Sequence, residues 1–178
     1  MAHIPYRDRE DLAPQDQELL ARPITLHRAL VNAPGMARAF SGLGKHIRYG
    51  MALDARLREL AILQVGWLAR SPYEWSHHVK IGMEFGVTDA DIRALMAGGE
   101  GLEPLARLVL QGAAEVFAGG MEAATFTALQ AELDDARMVE LTLTCAFYCA
   151  VVRTLASLAI DVEPEYRPYL DRYPLPST

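Results

Sequence analysis

Apolar residues recur along most of the chain at spacings of three and four, which is the period of an amphipathic helix. The clearest stripe is formed by Met36, Phe40, Leu43 and Ile47 in the segment 34–50. No run alternates apolar and polar residues for long enough to predict a β-strand. The pattern therefore predicts an all-α fold.

Proline, glycine and capping residues divide this pattern into separate helices. Segment 54–70 is apolar on most sides, so we expect it in the core or in a contact between subunits. A polar arm (1–22) and a tail rich in proline and tyrosine (164–178) belong to one predicted domain, 1–178, and the tail is expected to wrap a neighbouring surface. The predicted helical segments are 14–21, 24–33, 34–50, 54–70, 72–85, 88–96, 103–117, 122–133 and 135–160.

Composition excludes several classes of function. The chain has 178 residues, of which 51% are hydrophobic, so it can bury a core without disulfides or a structural metal. Its formal net charge of −6 and the lack of a basic stripe argue against nucleic acid or a membrane as partner. There is no apolar stretch of a secretion signal, and apolar runs end before 18 residues. Cys145 and Cys149 match neither CxxC nor a zinc knuckle, so we expect a reduced, cytoplasmic protein.

The segment 54–60 has an echo in 135–141, where five of the seven residues are identical. Either a duplicated helical unit or chance similarity between two amphipathic helices explains this echo. At the same offset, the second segment has apolar residues in place of Ser71, Glu74 and His78. Because burying polar groups without partners is costly, the polar residues of the first segment are candidate functional groups.

Glu74 and His78 are four residues apart, so on a helix their side chains share one face. A carboxylate that orients an imidazole near neutral pH makes a general acid or base. The structural alternative is an ordinary i, i+4 pair, which stabilises a helix by a few tenths of a kcal/mol. Both interpretations stay open from the sequence.

Glu59 has a structural alternative of its own. Arg56 and Glu59 are three residues apart and can form a surface ion pair on a helix. The same Arg-x-x-Glu spacing recurs in the echo as Arg137 and Glu140. This recurrence favours a structural ion pair for Glu59 more than it does for the other polar residues.

Ser71 has the position of a helix cap. Pro72 follows it and Glu74 occupies the third helical position, which is the spacing of a capping box. This interpretation explains Ser71 without any catalytic role. The alternative is a serine nucleophile that His78 activates.

His77 lies roughly 100° around the helix from His78, so we expect it at the rim of a site or in an interface. Trp75 is expected in the core or an interface, with a pocket wall beside Glu74 as the alternative. A metal site formed by Glu59, Glu74 and His78 would have only a loose ligand set. We therefore predict no metal.

The order of these residues resembles the carboxymuconolactone decarboxylase family, which belongs to the all-α superfamily of the alkylhydroperoxidase D proteins. The similarity covers roughly 30–165 and rests on Arg-x-Arg-Glu-Leu at 56–60 and Tyr-Glu-Trp-x-x-His at 73–78. In the alkylhydroperoxidase branch, two cysteines occupy the positions of Ser71 and Glu74. Since thiol peroxidation needs a thiolate, their absence here disfavours that activity.

The decarboxylase branch has a Glu-x-x-x-His pattern at this place. The resemblance implies an alkylhydroperoxidase D-like helical bundle with cofactor-free acid/base chemistry on a small carboxylated or lactone-type compound. His78 would be the general acid/base, Glu74 its orienting carboxylate and Glu59 a supporting carboxylate, with Ser71, Trp75 and His77 as pocket candidates. The resemblance also implies a homo-oligomer, a trimer or hexamer. Two alternatives stay open: a non-catalytic ligand-binding or structural oligomer, and residual peroxidase chemistry at the cysteines.

Overall fold

Residues 2–176 are described in the computed structural model, and within them the chain forms helices and no strand, which confirms the all-α prediction. The ends of the predicted arm and tail, at Met1, Ser177 and Thr178, lie outside the described residues. The α-helices are α1 (Thr25–Leu30), α2 (Pro34–Tyr49), α3 (Ala55–Leu68), α4 (Pro72–Glu84), α5 (Asp89–Met96), α6 (Pro104–Ala118), α7 (Ala123–Gln130), α8 (Asp135–Ser157) and α9 (Arg167–Arg172). Short 3-10 helices lie at Arg9–Asp11, Pro14–Leu20 and Pro164–Tyr166.

Helix α3 forms the centre of the structure, as its apolar circumference predicts. It begins where the Asp54 carboxylate accepts a hydrogen bond from the Leu57 amide at 3.0 Å. It packs against α4, α6 and α8, and every residue of 57–63 is buried. Gly66 allows α4 to come close, because a Cβ at this position would lie 3.4 Å from the Trp75 backbone nitrogen. A polar residue within 57–63 is therefore surrounded by neighbouring parts of the protein.

Helix α4 is buried although it is rich in polar residues. Arg70, with φ of 48°, turns the chain between α3 and α4. The four polar residues Glu74, Ser76, His77 and His78 are at most 4% exposed. Helix α3 covers one side of α4, and the C-terminal helices, including α9, cover the other. The tail thus closes over the segment that carries the candidate chemistry.

Helix α8 is the counterpart of α3 in the sequence echo, and it runs without a break. It ends three residues before the predicted end at Ile160, because Ala159 adopts φ of 51°. Among the described residues, α8 is the helix that is long and apolar enough to span a membrane, with a mean hydropathy of 1.4. Half of that stretch is buried within the protein, and a core helix meets the same criterion.

Neither Arg-x-x-Glu segment forms the ion pair that its spacing suggests. Arg56 instead binds Asp91 and Glu103, whose carboxylates α5 and the turn before α6 bring to its guanidinium. In the echo, Glu140 accepts hydrogen bonds from backbone amides of the turn before α3. The surface ion pair between Arg56 and Glu59 is therefore not formed, and the Glu59 carboxylate faces α4.

Candidate acid/base site

His78 lies between two carboxylates that come from facing helices. Its Nδ1 is 2.7 Å from Oε2 of Glu59 on α3, and its Nε2 is 3.0 Å from Oε1 of Glu74, one turn earlier on α4. The three residues are between 1% and 4% exposed. The contact with Glu59 is a well-formed hydrogen bond. The structure therefore brings together the three residues that the sequence proposes for catalysis.

Arg58 holds the Glu59 carboxylate from the other side. Its Nε and Nη2 donate to Oε1 of Glu59 at 3.0 and 2.8 Å, and its Nη1 donates to the Arg48 carbonyl at 2.9 Å. The guanidinium also lies 4.5 Å from the Phe85 ring centroid. Sequence reasoning missed Arg58, although an arginine in a helix predicted to be apolar all round needs a buried partner.

Charge is balanced within this cluster. Burial lowers the pKa of His78, but the charges and hydrogen bonds of Glu59 and Glu74 outweigh it and raise this pKa to about 9. Burial raises the pKa of Glu59, and the charges and hydrogen bonds of His78 and Arg58 reverse that effect and lower it. At neutral pH, His78 is therefore an imidazolium that keeps its proton.

Tyr148 on α8 adds a neutral donor beside the imidazole. Its ring meets His78 edge-on with centroids 5.0 Å apart, and the residue is 6% exposed. Within residues 2–176 no protein group forms a hydrogen bond with its hydroxyl. Burial, and next the negative charges of Glu74 and Glu59, raise the pKa of Tyr148. The hydroxyl therefore stays protonated and can donate to a ligand.

Glu74, His78 and Tyr148 line a pocket with a volume of about 390 Å³ between α2, α4 and α8. This volume lies in the range of about 300–1,000 Å³ that is usual for sites of small molecules. Apolar side chains such as Phe40 and Phe147, whose ring centroids are 4.9 Å apart, form much of the wall. The arrangement can therefore exchange a proton with a small, largely apolar ligand.

His77 has a separate set of partners. Its ring is stacked between Tyr73 and Tyr166, with centroid distances of 4.1 and 3.5 Å, and its Nε2 is 2.8 Å from Oε2 of Glu163. It lines the same pocket, as the sequence proposes, but it is only 3% exposed and therefore does not lie at an open rim. The reason is the C-terminal tail, which supplies Tyr166 and Glu163 and covers the residue. Sequence spacing held no signal for this pairing.

Ser71 and Trp75 do not reach the pocket wall. Ser71 Oγ accepts a hydrogen bond from the Glu74 amide at 3.4 Å, which confirms its interpretation as a helix cap. The reciprocal half of the capping box is absent, because the Ser71 amide donates to the Gly66 carbonyl and the Glu74 carboxylate turns to the imidazole. Trp75 is fully buried, and its Nε1 donates to the Tyr173 carbonyl at 2.8 Å.

Both cysteines are free thiols buried on α8, and neither lines the pocket. Cys145 is 0% exposed and Cys149 is 7% exposed. Burial raises the pKa of Cys145 to about 12, so this thiol does not form a thiolate at neutral pH. The cysteines do not replace the CxxC pair that is missing after α3.

Comparisons with known proteins agree with this fold. Residues 34–103 match the family described as Carboxymuconolactone decarboxylase family, and no curated protein matches the sequence. An uncharacterized peroxidase-related protein from Ralstonia eutropha JMP134, with an alkylhydroperoxidase AhpD core, has a TM-score of 0.82 at 16% identity over 95% of both chains. A peroxidase-related protein from Silicibacter sp. TM1040 has a TM-score of 0.76 at 17% identity over 92% of both chains.

The debrominase Bmp8 shares the fold as well. Its structure, as a cysteine-to-alanine variant in complex with 2,3,4-tribromopyrrole, has a TM-score of 0.81 at 19% identity, over 97% of this chain and 100% of that chain. At such identities these similarities establish the fold and leave the activity open. The family resemblance read from the sequence is confirmed over residues 34–103, which match the carboxymuconolactone decarboxylase family, and the chain has the all-α fold of the alkylhydroperoxidase D-like proteins.

Proposed function

We propose that this protein carries out cofactor-free acid/base chemistry, of the decarboxylase type, on a small carboxylated or lactone-type compound. The observation that carries the proposal is the imidazole of His78, held between Glu59 and Glu74 at the wall of the pocket. Loss of CO2 leaves an electron pair on carbon, and a positioned acid must supply the proton that this carbon takes up.

Glu59 is the residue that orients the imidazole in this proposal. Its hydrogen bond to Nδ1 is 2.7 Å long, and Arg58 fixes the carboxylate through two further hydrogen bonds. The sequence assigns this orienting role to Glu74, but Glu74 has no comparable brace and lies at the pocket. The geometry therefore supports an exchange of these two roles.

Glu74 and His78 together exchange the proton with the ligand. His78, with its pKa raised to about 9, holds a proton at neutral pH, and its Nε2 faces the carboxylate that borders the pocket. The hydroxyl of Tyr148 can donate to a ligand oxygen on which negative charge develops. Each group supplies a function that proton transfer to carbon requires.

A non-catalytic ligand-binding role is the second candidate. It is favoured by the fact that both imidazole nitrogens already have carboxylate partners, as in a structural ion-pair network. Thiol peroxidation is disfavoured, because the thiols are buried away from the pocket. Turnover separates the two remaining candidates.

The test is release of CO2 from carboxymuconolactone and from a panel of lactone acids and β-keto acids, followed by mass spectrometry. His78→Gln and Glu74→Gln should each lower kcat by about 100-fold or more, the usual contribution of a general acid or base. His46→Gln and Glu84→Gln are matched controls, since both residues are exposed and lie outside the pocket wall. Circular dichroism checks that every variant keeps its helices.

Wild-type turnover in folded His78→Gln and Glu74→Gln variants would contradict the acid/base assignment. If the wild-type protein binds compounds of the panel without converting any of them, the non-catalytic candidate is supported instead. In that case the two variants change affinity alone.

A further inference from the structure

The arginine and lysine side chains at the pocket wall differ in whether another protein group forms a hydrogen bond with them. Arg22 donates to the Tyr166 hydroxyl at 3.2 Å. His27 also lines the pocket, and burial lowers its pKa, which keeps it neutral. Arg48 and Lys45 also line the pocket. Within residues 2–176 neither side chain has a carboxylate or any hydrogen-bond partner.

The acidic groups of the pocket are already used. Glu74 contacts His78, and Glu18 forms an ion pair with Arg38. No carboxylate of the wall is therefore left for Arg48, which is partly buried. A guanidinium withdrawn from water without a partner is unfavourable, and its planar fork matches a carboxylate. Arg48 thus has both the electrostatic need and the geometry for an anionic ligand.

The backbone of Arg48 is joined to the acid/base cluster by a hydrogen bond. A single side chain, Arg58, donates to the Arg48 carbonyl at 2.9 Å and to the Glu59 carboxylate at 2.8 and 3.0 Å. Arg48 also lies close enough to Tyr148 for its charge to lower the pKa of the phenol, against the larger effect of burial. An anion bound at Arg48 would therefore lie in the same pocket as His78.

The face of α2 that borders the pocket suits a ligand with one charged end. Phe40, Ser41, Gly44, Lys45 and Arg48 follow one another at helical spacing along this face. Gly44 leaves the wall open, because the nearest side-chain atom to a Cβ there would be 3.9 Å away, on Phe147. The face is thus aromatic at one end and cationic at the other.

We propose that Arg48, assisted by Lys45, binds the carboxylate of the substrate and so selects small organic carboxylates with an apolar body. The inference rests on the proposed function, because a carboxylate held at Arg48 would place the reacting carbon of the substrate beside Glu74. The hydrocarbon part of the ligand packs against Phe40 and Phe147. Inorganic anions lack that part and bind less well.

The experiment measures binding by isothermal titration calorimetry, without any need for turnover. The probes are benzoate, phenylacetate and 2-furoate, each compared with its neutral amide and with inorganic phosphate. We expect at least one carboxylate to bind the wild-type protein about tenfold more tightly than its amide, and Arg48→Gln to remove that difference, as expected for a charge-assisted hydrogen bond. Lys45→Gln should weaken carboxylate binding less, because Lys45 is exposed.

Arg167→Gln is the matched control, since it removes the same charge from an exposed residue of α9 outside the pocket. It should leave carboxylate affinity unchanged within about twofold. Arg48→Lys tests whether the planar guanidinium is needed, because it keeps the positive charge but should recover only part of the carboxylate affinity. In turnover assays, Arg48→Gln should raise KM about tenfold with little change in kcat, unlike the variants of His78.

The inference is overturned if no carboxylate binds more tightly than its amide, if phosphate binds more tightly than every carboxylate, or if Arg48→Gln binds carboxylates as the wild type does. Its failure is distinguishable from failure of the proposed function. Binding that depends on Arg48 without any turnover removes only the acid/base chemistry, whereas turnover that is indifferent to Arg48→Gln removes only this inference.

Discussion

His78 and its neighbour His77 are both buried beside carboxylates, yet their charges differ. His77 has one carboxylate partner, Glu163, and burial prevails, so its pKa is lowered. His78 has Glu59 and Glu74 on its two nitrogens, and their attraction exceeds the cost of burial, so its pKa is raised to about 9. The number of carboxylates facing each ring thus decides which histidine holds a proton at neutral pH.

This difference predicts how stability depends on pH. Since the pKa of His78 is higher in the folded protein than its ordinary value of 6.5, its contribution is complete below pH 6.5 and is lost as the pH rises through about 9. A shift of this size corresponds to roughly 3 kcal/mol. The free energy of unfolding, measured with urea, should therefore fall more between pH 6 and pH 9.5 in the wild type than in His78→Gln, which lacks the titrating group. Equal falls would contradict the raised pKa.

At the scale of the element, α4 depends on its cap as well as on its core contacts. Spacing alone identified Ser71 as the cap, because capping involves residues within one turn. Spacing could not identify the direction of the Glu74 carboxylate. This carboxylate turns to the His78 imidazole, and the Ser71 amide already donates its hydrogen bond to another backbone carbonyl. The capping-box spacing was therefore right for Ser71 and incomplete for Glu74.

Ser71→Ala should lower the free energy of unfolding by about 1 kcal/mol, because the Glu74 amide at the start of α4 loses its acceptor. Ser71→Thr keeps an acceptor oxygen and should recover most of that stability. Both variants should retain turnover, because Ser71 lies outside the pocket wall. Chemical denaturation and the CO2 assay measure the two effects. A large loss of turnover with unchanged stability would favour the serine as a nucleophile.

At the scale of the whole molecule, packing decides what the cysteines can do. Helix α8 packs between α3 and α6, and this leaves Cys145 without exposure to solvent. An apolar helix with two cysteines is compatible with a redox role when only the sequence is considered. The tertiary position removes the thiols from the pocket and from water.

The native protein should therefore react slowly with Ellman's reagent, and two thiols should appear once it is unfolded in guanidinium chloride. Hydroperoxide should not be consumed at a rate above that of the buffer. The absorbance of the released thiolate measures the first result, and a peroxide assay the second. Rapid reaction of a thiol in the native protein, together with peroxide consumption, would restore the peroxidase alternative.

The homo-oligomer and the cytoplasmic location stay predictions.

The sequence by itself determined the all-α class, most of the helices with several of their caps, and the resemblance to the family that residues 34–103 match. These features depend on periodicity and on contacts within a turn, which a single segment contains. It also placed Glu59, Glu74 and His78 in one functional stretch. It did not predict α9 in the tail. It missed Arg58, Tyr148 and the tail residues around His77, and it misassigned the partners of Arg56 and Glu140.

Only the tertiary structure decided most of those pairings, because they join residues that become neighbours through the packing of different elements. Arg58 and Glu59 are adjacent on α3, and there the tertiary structure decided that both are buried. Glu59 became the brace of His78 since α3 turns it towards α4, and Glu74 was left to border the pocket. Burial then set the charge of each group, through the competition between lost hydration and the carboxylates nearby. Periodicity along a chain carries no information on that competition.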